Sequence, residues 1–128
     1  MTALLDTHVW LWYLLADSRL KTAHKAIIED EQSDLRLSPI SVWELHLLIE
    51  KKRVPVANAD LWLSIAFTVL PVREAPLTFV IAQRSRRMQL PHEDPADRFI
   101  AATAAEMNIP LLTVDAVLLR CPEIQCVG

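Results

Sequence analysis

Two short apolar runs of this sequence end in a carboxylate: Ala3-Leu4-Leu5-Asp6 near the start of the chain, and Leu111-Leu112-Thr113-Val114-Asp115 near its end. Runs of this length are typical of strands that are buried on both faces, as the strands of a parallel sheet are. Further strands are predicted at 35–38, 69–72 and 123–127. Longer segments with a helical period separate the strands, and this alternation predicts an α/β fold on a mainly parallel sheet of five strands.

The segments between the strands predict helices from the spacing of their apolar residues. Asp60 is expected to cap a further helix, and Asp94 to cap another whose first residue is Pro95. The three predicted apolar faces consist of Leu20, Ala23, Ile27 and Ile28, of Val42, Leu45, Leu48 and Ile49, and of Leu77, Val80, Ile81 and Met88.

Length and composition limit the classes of protein to which this chain can belong. A chain of 128 residues is expected to form one domain over residues 1–128, and 52% hydrophobic with 23% charged residues is the composition of a folded globular protein. The only glycine is Gly128. This excludes the glycine-rich phosphate loops of Walker-type nucleotide hydrolases and of Rossmann-type dinucleotide-binding proteins.

Charge and hydropathy limit the possible partners and the compartment, and any binding of nucleic acid must be local. The net charge of −3 gives no whole-molecule attraction to a polyanion. No apolar stretch approaches the ~20 residues of a membrane span, and the first residues lack the basic region of a signal peptide. We therefore expect a cytoplasmic protein with no membrane partner. Because the cytoplasm is reducing, Cys121 and Cys126 are expected to be thiols. A zinc site is disfavoured, because it would need a second pair of ligands.

Asp6 and Asp115 follow two predicted buried strands, at the point where each strand ends. Ligands of open α/β sheets bind at this carboxyl edge, where the strand order reverses, so both acids are predicted to lie at one site. Each acid also has a structural interpretation. Asp6 is well placed to cap a helix that begins near Thr7, and Asp115 to open a turn.

Glu44 and Asp97 have two compatible interpretations. Ser41-Val42-Trp43-Glu44 fits a capping box, and Asp94-Pro95-Ala96-Asp97 follows the same logic. A carboxylate in the first turn of a helix that starts at the sheet edge also lies near the two strand-end acids. The positive end of the helix then helps to hold its charge.

Several carboxylates at one place require a cation, because two unit charges at 4 Å repel by about 4 kcal/mol at an effective dielectric constant of 20. Oxygen ligands favour Mg²⁺ or Mn²⁺ over zinc, and Mg²⁺ is typically held by a few carboxylates together with substrate phosphate. The acidic residues therefore predict a metal-dependent site for phosphodiester cleavage.

Other residues near these acids leave alternatives open. His8 and His92 are interpreted as metal ligands, as a general base, or as hydrogen-bonded neighbours of the acids; the lack of a histidine partner at ligand spacing favours the last. The tryptophans at 10, 12, 43 and 62 lie within apolar runs, which favours core positions over base-stacking platforms. Six basic residues are interpreted either as solvated helix ends or as phosphate contacts for a nucleic acid. These residues are Lys51, Lys52, Arg53, Arg84, Arg86 and Arg87.

The sequence resembles the PIN domain over nearly its whole length, and within that family the toxin ribonucleases of virulence-associated type II toxin–antitoxin pairs. The stretch from Leu4 to Val9 is similar to the family's first strand and first acid, and the stretch from Ser38 to Leu45 to the helix that bears the second. The most specific stretch runs from His92 to Ala102. It contains a D-P-x-D-R pattern with Asp97 as third acid, and 112–115 is similar to the strand that ends in the fourth.

The resemblance implies a three-layer α/β/α sandwich and an endoribonuclease that depends on Mg²⁺ or Mn²⁺ and hydrolyses RNA. It also implies a homodimer and a small antitoxin protein that covers the acidic site. The residues implied as catalytic groups and metal ligands are Asp6, Glu44, Asp97 and Asp115. The residues expected to support them are Thr7, Asp94, Arg98 and Thr113.

Two other functions remain as alternatives. A PIN-like domain without chemistry would be a binding module, and retention of all four acids argues against this. A housekeeping nuclease would cleave RNA without an antitoxin. A phosphoacceptor role for Asp6 is disfavoured, because Asp6-Thr7-His8 has no second acid two residues on.

Overall fold

A computed structural model describes all 128 residues. Five strands form one sheet in the order β3-β2-β1-β4-β5, and every neighbouring pair is parallel. The strands are β1 (Thr2–Leu5), β2 (Asp34–Leu37), β3 (Arg73–Glu74), β4 (Leu111–Leu112) and β5 (Cys126–Val127). The helices are α1 (Thr7–Leu14), α2 (Thr22–Glu29), α3 (Pro39–Glu50), α4 (Ala59–Val69), α5 (Phe79–Arg87), α6 (Pro95–Met107) and α7 (Ala116–Leu119).

Successive residues of the sheet point to opposite faces, and each face has its own hydrophobic core. Leu5 and Leu112 pack with residues of α1 to α4 on one face. Leu4 and Leu111 pack with residues of α5, α6 and α7 on the other. The predicted three-layer α/β/α sandwich on a parallel sheet of five strands is confirmed. No helix is both long enough and apolar enough to cross a membrane.

The sheet reverses its strand order at the centre. β1 pairs with β2 on one side and with β4 on the other. In open parallel sheets a crevice forms outside the carboxyl ends of the two strands at such a point, because the following helices diverge. The residues that follow β1 and β4 therefore line this crevice.

The strand predicted at 69–72 is wrong by several residues. Val69 is the last residue of α4, and pairing with β2 begins only where Arg73 aligns with Arg36. An apolar run that ends a helix cannot be told from a strand by its composition. The cap of α4 is Asn58 rather than Asp60, since the Asn58 side chain accepts a hydrogen bond from Leu61 N at 3.1 Å.

The apolar face predicted for α5 is correct only in part. Ile81 and Met88 are buried, but Val80 is 53% exposed and Leu77 precedes the helix. Ser85 is buried between Ile81 and Met88. Its burial follows from the packing of α5 against α6, which the sequence of α5 does not encode by itself.

Candidate active site at the carboxyl edge of the sheet

Asp6 follows β1 and lies in the central crevice as a buried carboxylate. Its Oδ1 accepts a hydrogen bond from Thr7 N at 2.8 Å, so Asp6 caps α1. Its Oδ2 accepts a hydrogen bond from Thr113 Oγ1 at 2.6 Å. Burial raises the pKa of Asp6 despite these two hydrogen bonds. The helix-cap and active-site interpretations thus apply to the same side chain.

The capping-box interpretation of Glu44 is wrong. Helix α3 begins at Pro39, and its cap is Ser38, whose Oγ accepts a hydrogen bond from Ile40 N at 3.1 Å. Glu44 therefore belongs to the second turn, where all backbone N–H groups have partners within the helix. Its side chain is free to turn toward the crevice.

Glu44 is held by a short chain of hydroxyl groups. Thr7 Oγ1 donates to Glu44 Oε1 at 2.5 Å and lies 2.8 Å from Ser41 Oγ. Because the Thr7 hydroxyl has one proton, Ser41 is the donor to Thr7. Burial, together with the negative charges of Asp94, Asp97 and Asp6, raises the pKa of Glu44 to about 7. The local sequence around Ser41 fits a helix cap and does not mark Ser41 as part of this hydrogen-bonded chain.

Asp94 and Asp97 lie at the start of α6, but only Asp94 acts as a helix cap. Asp94 caps α6 through a 2.9 Å hydrogen bond from Ala96 N, and Pro95 is the first helical residue, as predicted. Asp97 lies half-buried in the first turn without a capping hydrogen bond. Burial, with the charges of Asp94 and Asp6, raises its pKa to about 6.

Asp115 follows β4 and caps the short helix α7. Its Oδ1 accepts hydrogen bonds from Val117 N at 2.9 Å and Leu118 N at 3.1 Å, and its Oδ2 lies 2.8 Å from Nε2 of His92. Burial alone would raise the pKa of Asp115, but the hydrogen bonds from His92 and from the backbone outweigh it and lower the pKa.

His92 is a hydrogen-bonded neighbour of Asp115, with Nε2 2.8 Å from Oδ2 of that acid. Its Nδ1 is buried without a partner. When Nε2–H donates to Asp115, Nδ1 is a lone pair, which is the less costly group to bury unpaired. Coordination of a metal through Nε2 would place the proton on Nδ1, where it has no acceptor. The donor atoms of His92, Asp97 and Asp115 nevertheless lie within 4.8 Å of one another.

Arg98, which the sequence predicts as a supporting residue of the site, does not contact the acids directly. Its buried guanidinium donates to four backbone carbonyls. These belong to Ser85 (2.8 Å), Met88 (2.8 Å), Leu90 (2.9 Å) and His92 (3.0 Å). Successive helical residues point about 100° apart, so the side chain after Asp97 leaves the crevice. Arg98 fixes the segment between α5 and α6 that contains His92.

The structure thus brings together the four acids that the sequence singled out, with Thr7 and Thr113 bonded to two of them. None of the ion pairs joins Asp6, Glu44 or Asp97 to a lysine or arginine. Residues 3–123 match the family model described as PIN domain. The chain belongs to the PIN domain family.

Known relatives of this PIN domain include Ribonuclease VapC22 of Mycobacterium tuberculosis, which is 37% identical over 118 residues. That match covers 89% of the chain and 87% of the relative. The fold is similar to VapBC2 from Rickettsia felis, solved bound to a DNA fragment from its promoter (14% identity, TM-score 0.73, 99% and 98% of the two chains). It is also similar to VapBC-5 from Mycobacterium tuberculosis, of the VapBC family of toxin–antitoxin systems (19% identity, TM-score 0.62, 98% and 97%).

None of the six basic residues singled out in the sequence forms an ion pair with the four acids. Arg84 forms an ion pair with Glu106 at 2.9 Å. Arg86 and Arg87 are exposed in the last turn of α5, and residues 51–53 are exposed after α3. A role in RNA binding for any of them stays a prediction. Of the tryptophans, Trp10 is fully buried, whereas Trp43 is 52% exposed.

The cap of α6 gives a stability prediction for this PIN domain. Asp94→Ala removes the acceptor for Ala96 N and is expected to destabilise the fold by about 0.5 to 2 kcal/mol. Asp94→Ser should restore much of this loss, because serine is also a good cap. Urea denaturation measures both changes. Should Asp94→Ser fold normally and yet lose RNA cleavage, Asp94 would do more than cap the helix.

Proposed function

We propose that this PIN domain is a metal-dependent endoribonuclease that acts as a toxin and is neutralised by a small antitoxin. The observation that carries the proposal is the convergence of four carboxylates in one crevice without a lysine or arginine partner. The name Ribonuclease VapC22 of a 37% identical relative supports RNA as the substrate. We assign the catalytic and metal-binding roles to Asp6, Glu44, Asp97 and Asp115.

The donor set fits a hard divalent cation. All four proposed ligands offer carboxylate oxygens, which Mg²⁺ and Mn²⁺ prefer. The raised pKa values of Glu44 and Asp97 arise from burial and from neighbouring negative charges, so a cation would stabilise both ionised forms. These observations favour Mg²⁺ or Mn²⁺ over zinc.

A bound ion would supply a water of lowered pKa and would stabilise negative charge on the phosphate oxygens. The protein's own groups fix the acids for this purpose. Thr113 holds Oδ2 of Asp6, and Thr7 holds Oε1 of Glu44 while leaving Oε2 without a protein donor. His92 holds Oδ2 of Asp115.

Stability without metal is expected to fall as the pH rises from about 4 to about 7. The raised pKa values of Glu44, about 7, and Asp97, about 6, mean that the folded chain binds more protons than the unfolded chain in this window. The lowered pKa of Asp115 acts in the opposite sense, but below about pH 4. Thermal denaturation in the presence of a chelator, over a series of pH values, measures this trend.

Mn²⁺ should counteract this loss of stability at higher pH. Because protons compete with the ion for these acids, Mn²⁺ is expected to raise the melting temperature more at about pH 8 than at about pH 5. An equal increase at both pH values would place the ion elsewhere on the protein.

The proposed antitoxin would cover the acidic crevice with a cationic group. Guanidinium forms paired hydrogen bonds with carboxylates, so an arginine of the antitoxin is suited to replace the ion. Solved complexes described as toxin–antitoxin systems share this fold. Exposed apolar residues such as Trp43, at 52%, and Leu61, at 59%, offer contacts for the rest of the partner, whereas Trp10 and Leu45 are fully buried and do not. We also expect a homodimer in a cytoplasmic complex.

Expression in bacteria tests this function. The domain alone should arrest growth, and co-expression of a small protein encoded beside it should relieve the arrest. Purified protein should cleave RNA with Mg²⁺ or Mn²⁺ and not with a chelator. Cleavage in vitro by a domain that is harmless in cells would indicate a housekeeping nuclease. No cleavage with either ion would indicate a binding module.

A further inference from the structure

A groove of about 500 Å³ opens beside the acidic crevice, along α1 and the end of α3. His8, which lines it, comes directly after Thr7, the residue that holds Glu44. Leu48 lines it from α3, one turn or about 6 Å beyond Glu44. The groove is therefore a continuation of the crevice along the same two helices.

One wall of the groove consists of neighbouring planar groups, and the His8 and Trp12 rings are tilted by 53° to each other. The rings of His8 and Trp12 are 5.9 Å apart, and the guanidinium of Arg19 lies 5.0 Å from the centre of the Trp12 ring. Asp17 holds that guanidinium through two hydrogen bonds, at 3.1 Å and 2.8 Å. Aromatic rings and guanidinium planes are the surfaces on which proteins stack unpaired nucleic-acid bases.

The groove is also lined by a cation without an ion-pair partner, Arg53. Lys52 has a left-handed backbone conformation, with φ 56°. Lys52 N donates to Ile49 O at 3.0 Å and Arg53 N to Leu48 O at 2.9 Å, which is a Schellman motif. This motif turns the chain at the end of α3 so that Arg53 lines the groove. Arg53 takes part in none of the ion pairs.

We propose that this groove is a nucleotide subsite, in which the base next to the scissile phosphate of a single-stranded RNA lies against Trp12 and Arg19, and Arg53 contacts a phosphate. The inference rests on the proposed ribonuclease function and specifies the form of its substrate. A single strand is required because a paired base does not expose its face for stacking. An unpaired cation beside aromatic rings favours a nucleotide over an apolar peptide segment.

Kinetics with abasic RNA tests the subsite. The probe is a single-stranded RNA of mixed sequence with a mapped cleavage site, in which one base at a time is removed on either side of the cut. Loss of one adjacent base should raise KM by roughly 5- to 150-fold, the range for one stacked base, with little change in kcat. Trp12→Ala should raise KM for intact RNA by a similar factor, and the same abasic position should then have no further effect.

Two further variants keep the kinetic test independent of folding. Trp12→Phe keeps an aromatic face and should retain most of the affinity. Phe79→Ala removes an aromatic ring that is 93% exposed outside the groove, and it should leave KM unchanged. Equal KM values for intact RNA and for every abasic position would overturn the proposal. So would a Trp12→Ala variant that binds RNA normally but fails to bind the antitoxin, because the groove would then belong to the protein partner.

A binding measurement separates this inference from the proposed activity. Asp97→Asn protein is titrated with oligouridylate and with an abasic ribose-phosphate oligomer of equal length, and tryptophan fluorescence is recorded. Oligouridylate should quench the fluorescence, and the quenching should be lost in the Trp12→Phe background. If wild-type protein cleaves no RNA, the ribonuclease function fails while this titration still decides the subsite. Equal quenching of the fluorescence by both oligomers would overturn the proposed subsite.

Discussion

Replacing Asp97 with asparagine is expected to reduce RNA cleavage by roughly 100-fold or more, since a metal ion contributes several kcal/mol of transition-state stabilisation. The substitution keeps the size of the side chain and removes one of the converging negative charges. Because the charges of Asp94 and Asp6 raise the pKa of Asp97, its neutral replacement relieves repulsion in the metal-free protein. The melting temperature without metal should therefore stay the same or rise at about pH 8.

Asp60→Asn is the matched control for this experiment. Asp60 also lies in the first turn of a helix, is exposed, and changes the net charge by the same amount when replaced. The Asp60→Asn variant should cleave RNA at the wild-type rate. Asp6→Asn should lose activity as Asp97→Asn does, although Asp6 also caps α1 through Thr7 N. Wild-type cleavage rates in both Asp6→Asn and Asp97→Asn would refute the assignment of the site.

The location of the acidic site was predictable because it depends on local patterns and one rule of topology. Short apolar runs that end in Asp6 and Asp115 predict two strand ends, and parallel strands place their ends at one edge. Asp94 and Pro95 mark the start of α6 without knowledge of the fold. The order of the strands was not predictable, because it depends on which helices cover which face of the sheet.

The details that hold the acids in place depend on contacts between residues far apart in the chain. Thr7 contacts Glu44 across 37 positions, and Thr113 contacts Asp6 across 107. Glu44 itself illustrates a local pattern that misleads. The spacing from Ser41 fits a capping box, but a better cap three residues earlier, Ser38, begins the helix. Local spacing identifies candidates for a cap and cannot rank them.

Arg98 has the largest predicted effect on stability. Replacement by methionine removes hydrogen bonds to the carbonyls of Ser85, Met88, Leu90 and His92 and leaves those groups without a charged donor. Each such bond contributes about 1.5 to 3 kcal/mol, but the segment between the helices can relax toward water, so the contributions do not add. We expect a loss of about 3 to 5 kcal/mol in the free energy of unfolding, measured by urea denaturation.

Arg98→Lys tests whether charge or geometry carries this stabilisation. An ammonium group donates from a single point and cannot reach four carbonyls that surround a planar guanidinium, so this variant should lose more than half of the stabilisation. The control is Arg84→Met, which removes only a surface ion pair with Glu106 and should cost no more than about 1 kcal/mol.

The pH dependence of the unfolding free energy distinguishes the effect of Arg98→Met from the effects of the acidic site. A guanidinium stays charged throughout the accessible range, so the loss in Arg98→Met should be about the same at pH 5 and pH 8. The gain in metal-free stability from Asp97→Asn should instead vanish at about pH 5, where Asp97, with its pKa raised to about 6, is mostly protonated. A loss in Arg98→Met that disappeared at low pH would mean that Arg98 stabilises the protein by pairing with the acids, and not by holding the segment that contains His92.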